Sequence, residues 1–232
     1  MNLEKMFEMQ AELDSRIIKE KGLEGRDLLP NTYVALITEI GEFANEGRLF
    51  KHWSDQQEPK RKAITTAGAT TENATHFHCE SEDCGEYSNR EDFENLSEPD
   101  YDECPICKAG SVTAYREFDP FLEEYADCIH FFLSIAIKKG WQEELHVSDE
   151  IFFGFEEFGF EGGLSGLYLE MQWSLLNSRM FKDEEKKKEH FRAAWGLFLV
   201  IGVVGFGFTL DQIEKAYMDK NAVNHKRQQE GY

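Results

Sequence analysis

At 232 residues, with 41% hydrophobic and 13% aromatic content, the chain can build a substantial core, which excludes wholesale disorder. A formal net charge of −20 excludes a general grip on nucleic-acid backbone, which needs clustered Lys and Arg. It leaves a polyphosphate open as a ligand, provided divalent cations stand between the two sets of negative charge.

Leu3, Met6, Phe7, Leu13 and Ile17 recur near the 3.6-residue period and predict a helix over 3–21, with Gly22 and Gly25 in the loop that follows. No apolar leader follows Met1. Tyr33, Leu36, Ile37, Ile40 and Ala44 mark one apolar face of a second helix, expected from Pro30 to Phe50. The character then changes. From 56 to 116 the chain is polar and turn-rich and holds four of its five cysteines, which reads as a module inserted between 1–55 and 117–232. Helical periodicity resumes at Asp119-Pro120, an N-cap followed by Pro at the first helical position, and should stop at Gly140. Residues 149–163, rich in Phe and Gly, show no assignable period. Helices are expected over 164–179 and from 184 to about 204. A last one opens on the capping box Thr209–Gln212 and runs to about Gln229. The most apolar stretch, Trp195–Phe208, is too short to span a bilayer. The expectation is a cytoplasmic all-α bundle carrying a small insertion, with neither membrane nor nucleic acid as partner.

Glu39-Ile-Gly-Glu42 places two carboxylates on one side of a helix, and Glu46 continues the stripe. Glu124-Tyr-Ala-Asp127 repeats the arrangement. Both pairs adjoin strongly apolar positions. Four acids brought together would repel unless hard cations neutralise them, and oxygen-only ligands favour Mg²⁺ or Mn²⁺. The plainer alternative is a set of solvated acids on amphipathic helices. A di-iron bundle would need Glu-x-x-His twice, which only Asp127 with His130 approaches. Near the C-terminus, Lys220, Asn224 and Arg227 share one helix face and can grip phosphates, the Arg through its bidentate fork. A solvated basic helix end is the alternative there.

Cys79-x4-Cys84 and Cys104-x2-Cys107 form two ligand pairs, and Cys104-Pro-Ile-Cys107 resembles a zinc-ribbon knuckle. Four thiolates suit one tetrahedral structural Zn²⁺. Cys128 stands apart as a small buried residue.

Taken in order, these segments resemble the dimeric all-α dUTPases, a branch of the MazG-like nucleotide pyrophosphatases, over most of the chain outside the insertion. Met9-Gln10-Ala-Glu-Leu13-Asp14 resembles the family's N-terminal nucleoside-contacting helix, and the two acid pairs resemble its metal motifs. Phe50-Lys51-His-Trp53 resembles the segment after the first pair, and His130-Phe131 the end of the second. Tyr217, Lys220, Asn221, Asn224, Arg227, Gln228, Gly231 and Tyr232 are similar to the closing motif at each position.

The resemblance implies a homodimer that converts dUTP to dUMP and pyrophosphate, serving phage or cellular nucleotide sanitation. It implies two or three Mg²⁺ on Glu39, Glu42, Glu124 and Asp127, with Glu39 and Glu42 catalytic and Glu39 preferred as the base. Lys220 and Arg227 would hold phosphates. Gln10, Asp14, Lys51, Trp53, His130, Phe131, Asn221, Asn224 and Tyr232 would surround the nucleoside. Asp14 stands where relatives often carry Asn. A pyrophosphatase for dCTP or another pyrimidine triphosphate is therefore the alternative substrate reading, and a catalytically inactive zinc-ribbon adaptor the alternative outside enzymology.

Overall fold

A computed structural model describes residues 1–96, 101–109, 111–148, 150–229 and 231, with the side chain of Phe158 left aside. In chain order the elements begin with α1 (Leu3–Glu20), α2 (Leu29–Glu46), β1 (Ala63–Thr65), β2 (His76–Cys79), β3 (Tyr87–Asn89) and α3 (Arg90–Leu96). They continue with β4 (Val112–Phe118), α4 (Pro120–Lys139), α5 (Glu150–Phe158), α6 (Gly163–Met180), α7 (Glu184–Val200) and α8 (Leu210–Gln229). They form two compact units, Met1–Pro59 with Phe121–Tyr232, and Lys60–Pro120.

The larger unit is all-α. Asn2 caps α1 through its side chain, which accepts from Lys5 N at 3.1 Å, and Leu3, Met6, Gln10 and Leu13 form the buried stripe. α4 is buried on nearly every side, by Phe121, Tyr125, Cys128, Ile129, Phe132, Leu133, Ile135 and Ala136. An apolar surface all round marks the central helix of a bundle. Gly140, at φ 66°, stops it. Phe132 packs among Phe191, Trp195 and Phe198 of α7, while Tyr217 of α8 stacks on His130 at 4.4 Å. The expected capping box is present, since Gln212 N donates to Thr209 Oγ1 at 3.1 Å and Thr209 N to Gln212 Oε1 at 2.9 Å.

Three expectations need correction. The second helix ends at Glu46, not at Phe50. Arg48 there adopts φ 58°, and Arg48 N and Leu49 N turn back to Asn45 O and Ala44 O, which closes a Schellman motif without glycine at its left-handed position. The helix from 184 does not run regularly to 204, because Ile201–Gly205 widen into a π turn. The Tyr125 hydroxyl donates to Phe198 O at 3.1 Å at that point, and its ring lies where a Gly202 side chain would fall. The unassigned stretch contains α5, ended by left-handed Gly159.

No single helix among the described residues is long and apolar enough to cross a membrane. The one pair that passes jointly, Glu184–Gly205 with Leu210–Gln229, is bent by 112°.

The smaller unit is an antiparallel sheet of order β1-β4-β2-β3 with the seven-residue α3 beside it. Alternation along β2 buries Phe77 and Cys79 and turns His76 and His78 to the other face. Its core is small: Ala74, Phe77 and Phe93, with Tyr101, Val112 and Ala114 against them.

Candidate active site

Phe43 of α2 stacks on Phe121 of α4 at 4.9 Å and meets Tyr125 edge-on at 5.3 Å. That aromatic seam clamps the two acid-bearing helices together. Beside it, Glu39, Glu42 and Glu124 each offer an oxygen within 4.8 Å of the others. Burial, then the neighbouring Asp127 and Glu42 charges, push the Glu39 carboxyl up to about 7. Glu124 is likewise raised to about 7, by burial first and by Asp127, Glu42 and Glu39 against the opposing pull of Lys220. An all-oxygen set held together against its own repulsion fits a hard divalent cation.

Asp127 was expected beside those three as a fourth ligand. Its charge bears on Glu39 and Glu124, but its Oδ2 takes the Lys220 ammonium at 2.6 Å. Lys220, only 8% exposed, also meets Glu123 Oε1 at 2.8 Å. Burial lowers the Lys220 pKa, yet Asp127 and Glu123 outweigh it and leave the group above its ordinary value. The side chain expected to grip phosphate is thus bound to carboxylates in this structure.

Gln10, Asp14, His130, Phe131, Asn224 and Arg227 come together, lining a cleft of about 190 Å³ with Ser134 and Gln228. A second cavity of about 320 Å³ shares Asp14, Ile17, Phe131 and Ser134 and ends on Lys138. One network orders the polar groups. Gln10 Nε2 donates to Asp14 Oδ1 at 2.8 Å and to Ser134 Oγ at 3.0 Å, while Lys138 Nζ reaches Asp14 Oδ2 at 2.7 Å. The Ser134 hydroxyl donates to the same carboxylate. Because an ionised carboxylate only accepts, Gln10 must turn its amide oxygen toward His130 Nδ1, 2.7 Å away. Burial, with Lys220 in addition, lowers His130 to about 3. The ring is therefore neutral at pH 7, Nδ1 carries its proton, and Nε2 is a buried acceptor that has no hydrogen-bond partner among the described residues.

Other expected nucleoside contacts lie elsewhere. Trp53 is 68% exposed, tilts over Phe50 and meets His52 edge-on, and neither it nor Lys51 lines the two cavities. Asn221 is buried beside Tyr217, with which its side chain hydrogen-bonds. Tyr232 lies outside the described residues. Sequence reading missed Glu123, Ser134 and Lys138. The i, i+4 series His130, Ser134, Lys138 and the pair Glu123, Asp127 carried the signal.

The pKa shifts predict a pH dependence. Unfolded, Glu39 and Glu124 release protons near 4.5; folded, they hold them to about 7. Their contribution is therefore fully present below 4.5 and is lost as pH rises through 7. Without added Mg²⁺, the wild-type Tm should fall across that window relative to a Glu39→Gln/Glu124→Gln variant, and Mg²⁺ should remove the difference. Parallel Tm profiles with and without Mg²⁺ would contradict this assignment of the shifts.

In the smaller unit, Cys79 Sγ lies 3.7 Å from Cys107 Sγ and Cys84 Sγ 3.9 Å from Cys104 Sγ, and all four sulfurs fall within 4.8 Å of one another. A tetrahedral Zn²⁺ with bonds of about 2.3 Å sets its sulfurs about 3.8 Å apart. The donor set fits that ion.

Among curated proteins, none matches the chain. A family model described as dUTPase matches residues 2–81 and 111–232 and passes over the segment that holds Cys84, Cys104 and Cys107. The match takes in both acid-bearing helices and the whole of α1 and α8. The chain belongs to the dUTPase family, the dUTP diphosphatases.

Proposed function

We propose that the chain hydrolyses dUTP to dUMP and pyrophosphate with Mg²⁺ held by Glu39, Glu42 and Glu124 and with Asp127 beside them. The observation that carries this reading is the convergence of three carboxylates from two clamped helices, two of them pushed to about 7. When bound, Mg²⁺ neutralises the triphosphate and activates a water for attack on phosphorus. Glu39, half-buried beside Glu42 and Glu124, takes the proton of the attacking water. Arg227 binds the phosphates from α8, on the same face as Asn224.

The base reading rests on the family match. Asp14 accepts from Gln10, Ser134 and Lys138. The N3–H of uracil and the amino group of cytosine are both donors, so the choice between them is made by the rest of the cleft and not by this carboxylate alone. Gln10, His130, Phe131 and Asn224 line the nucleoside cleft. Purified chain with Mg²⁺, offered each nucleoside triphosphate in turn, tests the whole reading through pyrophosphate release. Turnover of dUTP well above the rest is expected. Preference for dCTP would replace the substrate, and no turnover of any nucleotide would leave the adaptor.

The cysteine cluster holds one structural Zn²⁺. Its four thiolates close the tetrahedron and leave no position for a substrate, so the ion serves folding and not catalysis.

The chain works as a homodimer. Leu169, Trp173, Leu176 and Met180 form an exposed apolar row along α6, at i, i+4, i+7 and i+11. A row of that kind is expected to lie against another surface. Trp173→Glu should convert dimer to monomer in sedimentation experiments with little change in helix content. A wild-type monomer at micromolar concentration would remove the dimer from the reading.

A further inference from the structure

We propose that Glu123 is a positioning residue for the reaction assigned above, on which this inference rests. It anchors the Lys220 ammonium, so that Asp127 is not that cation's sole counter-ion and retains charge to offer the divalent cation. Lys220 Nζ lies between Glu123 Oε1 at 2.8 Å and Asp127 Oδ2 at 2.6 Å. Glu123 and Asp127 stand four residues apart on α4 and so share a face, while Glu124 between them joins Glu39 and Glu42. The three acids at the start of α4 are thereby divided. Glu124 serves the cation group, Glu123 serves Lys220, and Asp127 stands between the two.

Charge balance gives Glu123 its purpose. An ammonium this buried needs carboxylate partners, because a charge taken out of water is costly unless it is paired. With Asp127 as the single partner, the pair would be neutral and Asp127 would be drawn away from the cation. With Glu123 added, one positive and two negative charges leave a net negative charge facing Glu39 and Glu124. Asp127 stands three residues from Glu124 on α4 and so neighbours the cation group. Its second oxygen need not be spent on Lys220. Glu123 touches neither cation nor substrate in this scheme; it acts through Lys220.

The test is Mn²⁺ binding to the full chain, followed by calorimetry and by the Mn²⁺ electron-spin resonance signal, in wild type, Glu123→Gln, Lys220→Met and the double variant. Thermal melts of each confirm folding. Glu123→Gln should weaken Mn²⁺ binding by about tenfold, the scale seen when a residue that orients a metal ligand is lost. In the Lys220→Met background the same change should weaken binding by about twofold or less, because Asp127 is then already free. At saturating Mn²⁺ the kcat of Glu123→Gln should stay within about threefold of wild type, and Glu123→Asp should recover part of the lost affinity. Equal weakening in both backgrounds would overturn the proposal, since simple loss of one negative charge would then explain it. Unchanged affinity in Glu123→Gln would overturn it too. A wild type that binds Mn²⁺ nowhere near Glu39, Glu42 and Glu124 would instead remove the cation site, and this inference with it.

Discussion

Glu42→Gln is expected to lower kcat for dUTP by about a hundred- to a thousandfold, the scale associated with losing one group that stabilises transition-state charge. The fold should be unaffected. Glu42 is exposed, and its charge pushes up both Glu39 and Glu124. Removing it relieves repulsion, so the variant's Tm in the absence of Mg²⁺ should equal or exceed that of wild type. Added Mg²⁺ should stabilise the variant less than the wild type, because one ligand is gone. This combination separates a cation ligand from a packing residue, whose loss would lower Tm and activity together. Turnover within a few-fold of wild type would take Glu42 out of the site.

The second large effect belongs to the cysteines. Cys104→Ser should abolish zinc binding and unfold the smaller unit, with loss of its strand signals and rapid proteolysis within 60–120. Its core of Ala74, Phe77 and Phe93 is too small to hold four short strands. A structural Zn²⁺ contributes about 10 kcal/mol or more in small zinc modules, which exceeds what such a core supplies. Native mass spectrometry should find one Zn²⁺ per wild-type chain and none in the variant. Wild-type chain that contains no zinc, has four thiols freely titratable and yet resists protease would contradict the assignment.

The helical part was legible because its signals are local. The 3.6-residue period, the Thr209–Gln212 box and the Pro120 and Gly140 boundaries each act within a turn or two. The end of α2 was not, because a left-handed Arg48 stands where glycine normally marks the stop. The π turn at Ile201–Gly205 was equally hidden. It is tied to Tyr125, a residue distant in sequence that bonds Phe198 O. In the smaller unit the strands run for three to seven residues and carry His and Tyr on one face, so no aliphatic alternation announces them.

At the site, the helix spacing within each acid pair, Glu39 with Glu42 and Glu124 with Asp127, was readable from sequence. The partner of Lys220 was not. Ion pairing between α4 and α8 depends on how two distant helices meet, and no spacing rule reaches across that distance. The same holds for Asp14. Its identity is plain in the sequence, but its commitment to Ser134 and Lys138 appears only once α1 and α4 are packed.

In the proposed function, acids from two helices converge so that a divalent cation can join a nucleotide triphosphate to this acidic chain. Anomalous diffraction from crystals grown with Mn²⁺ and a non-hydrolysable dUTP analogue tests it most directly. Manganese peaks among Glu39, Glu42 and Glu124, bridging to phosphate oxygens, with the uracil in the cleft of Gln10, His130 and Phe131, are the predicted result. Manganese bound away from these carboxylates, or a nucleotide seated without any cation, would contradict the account.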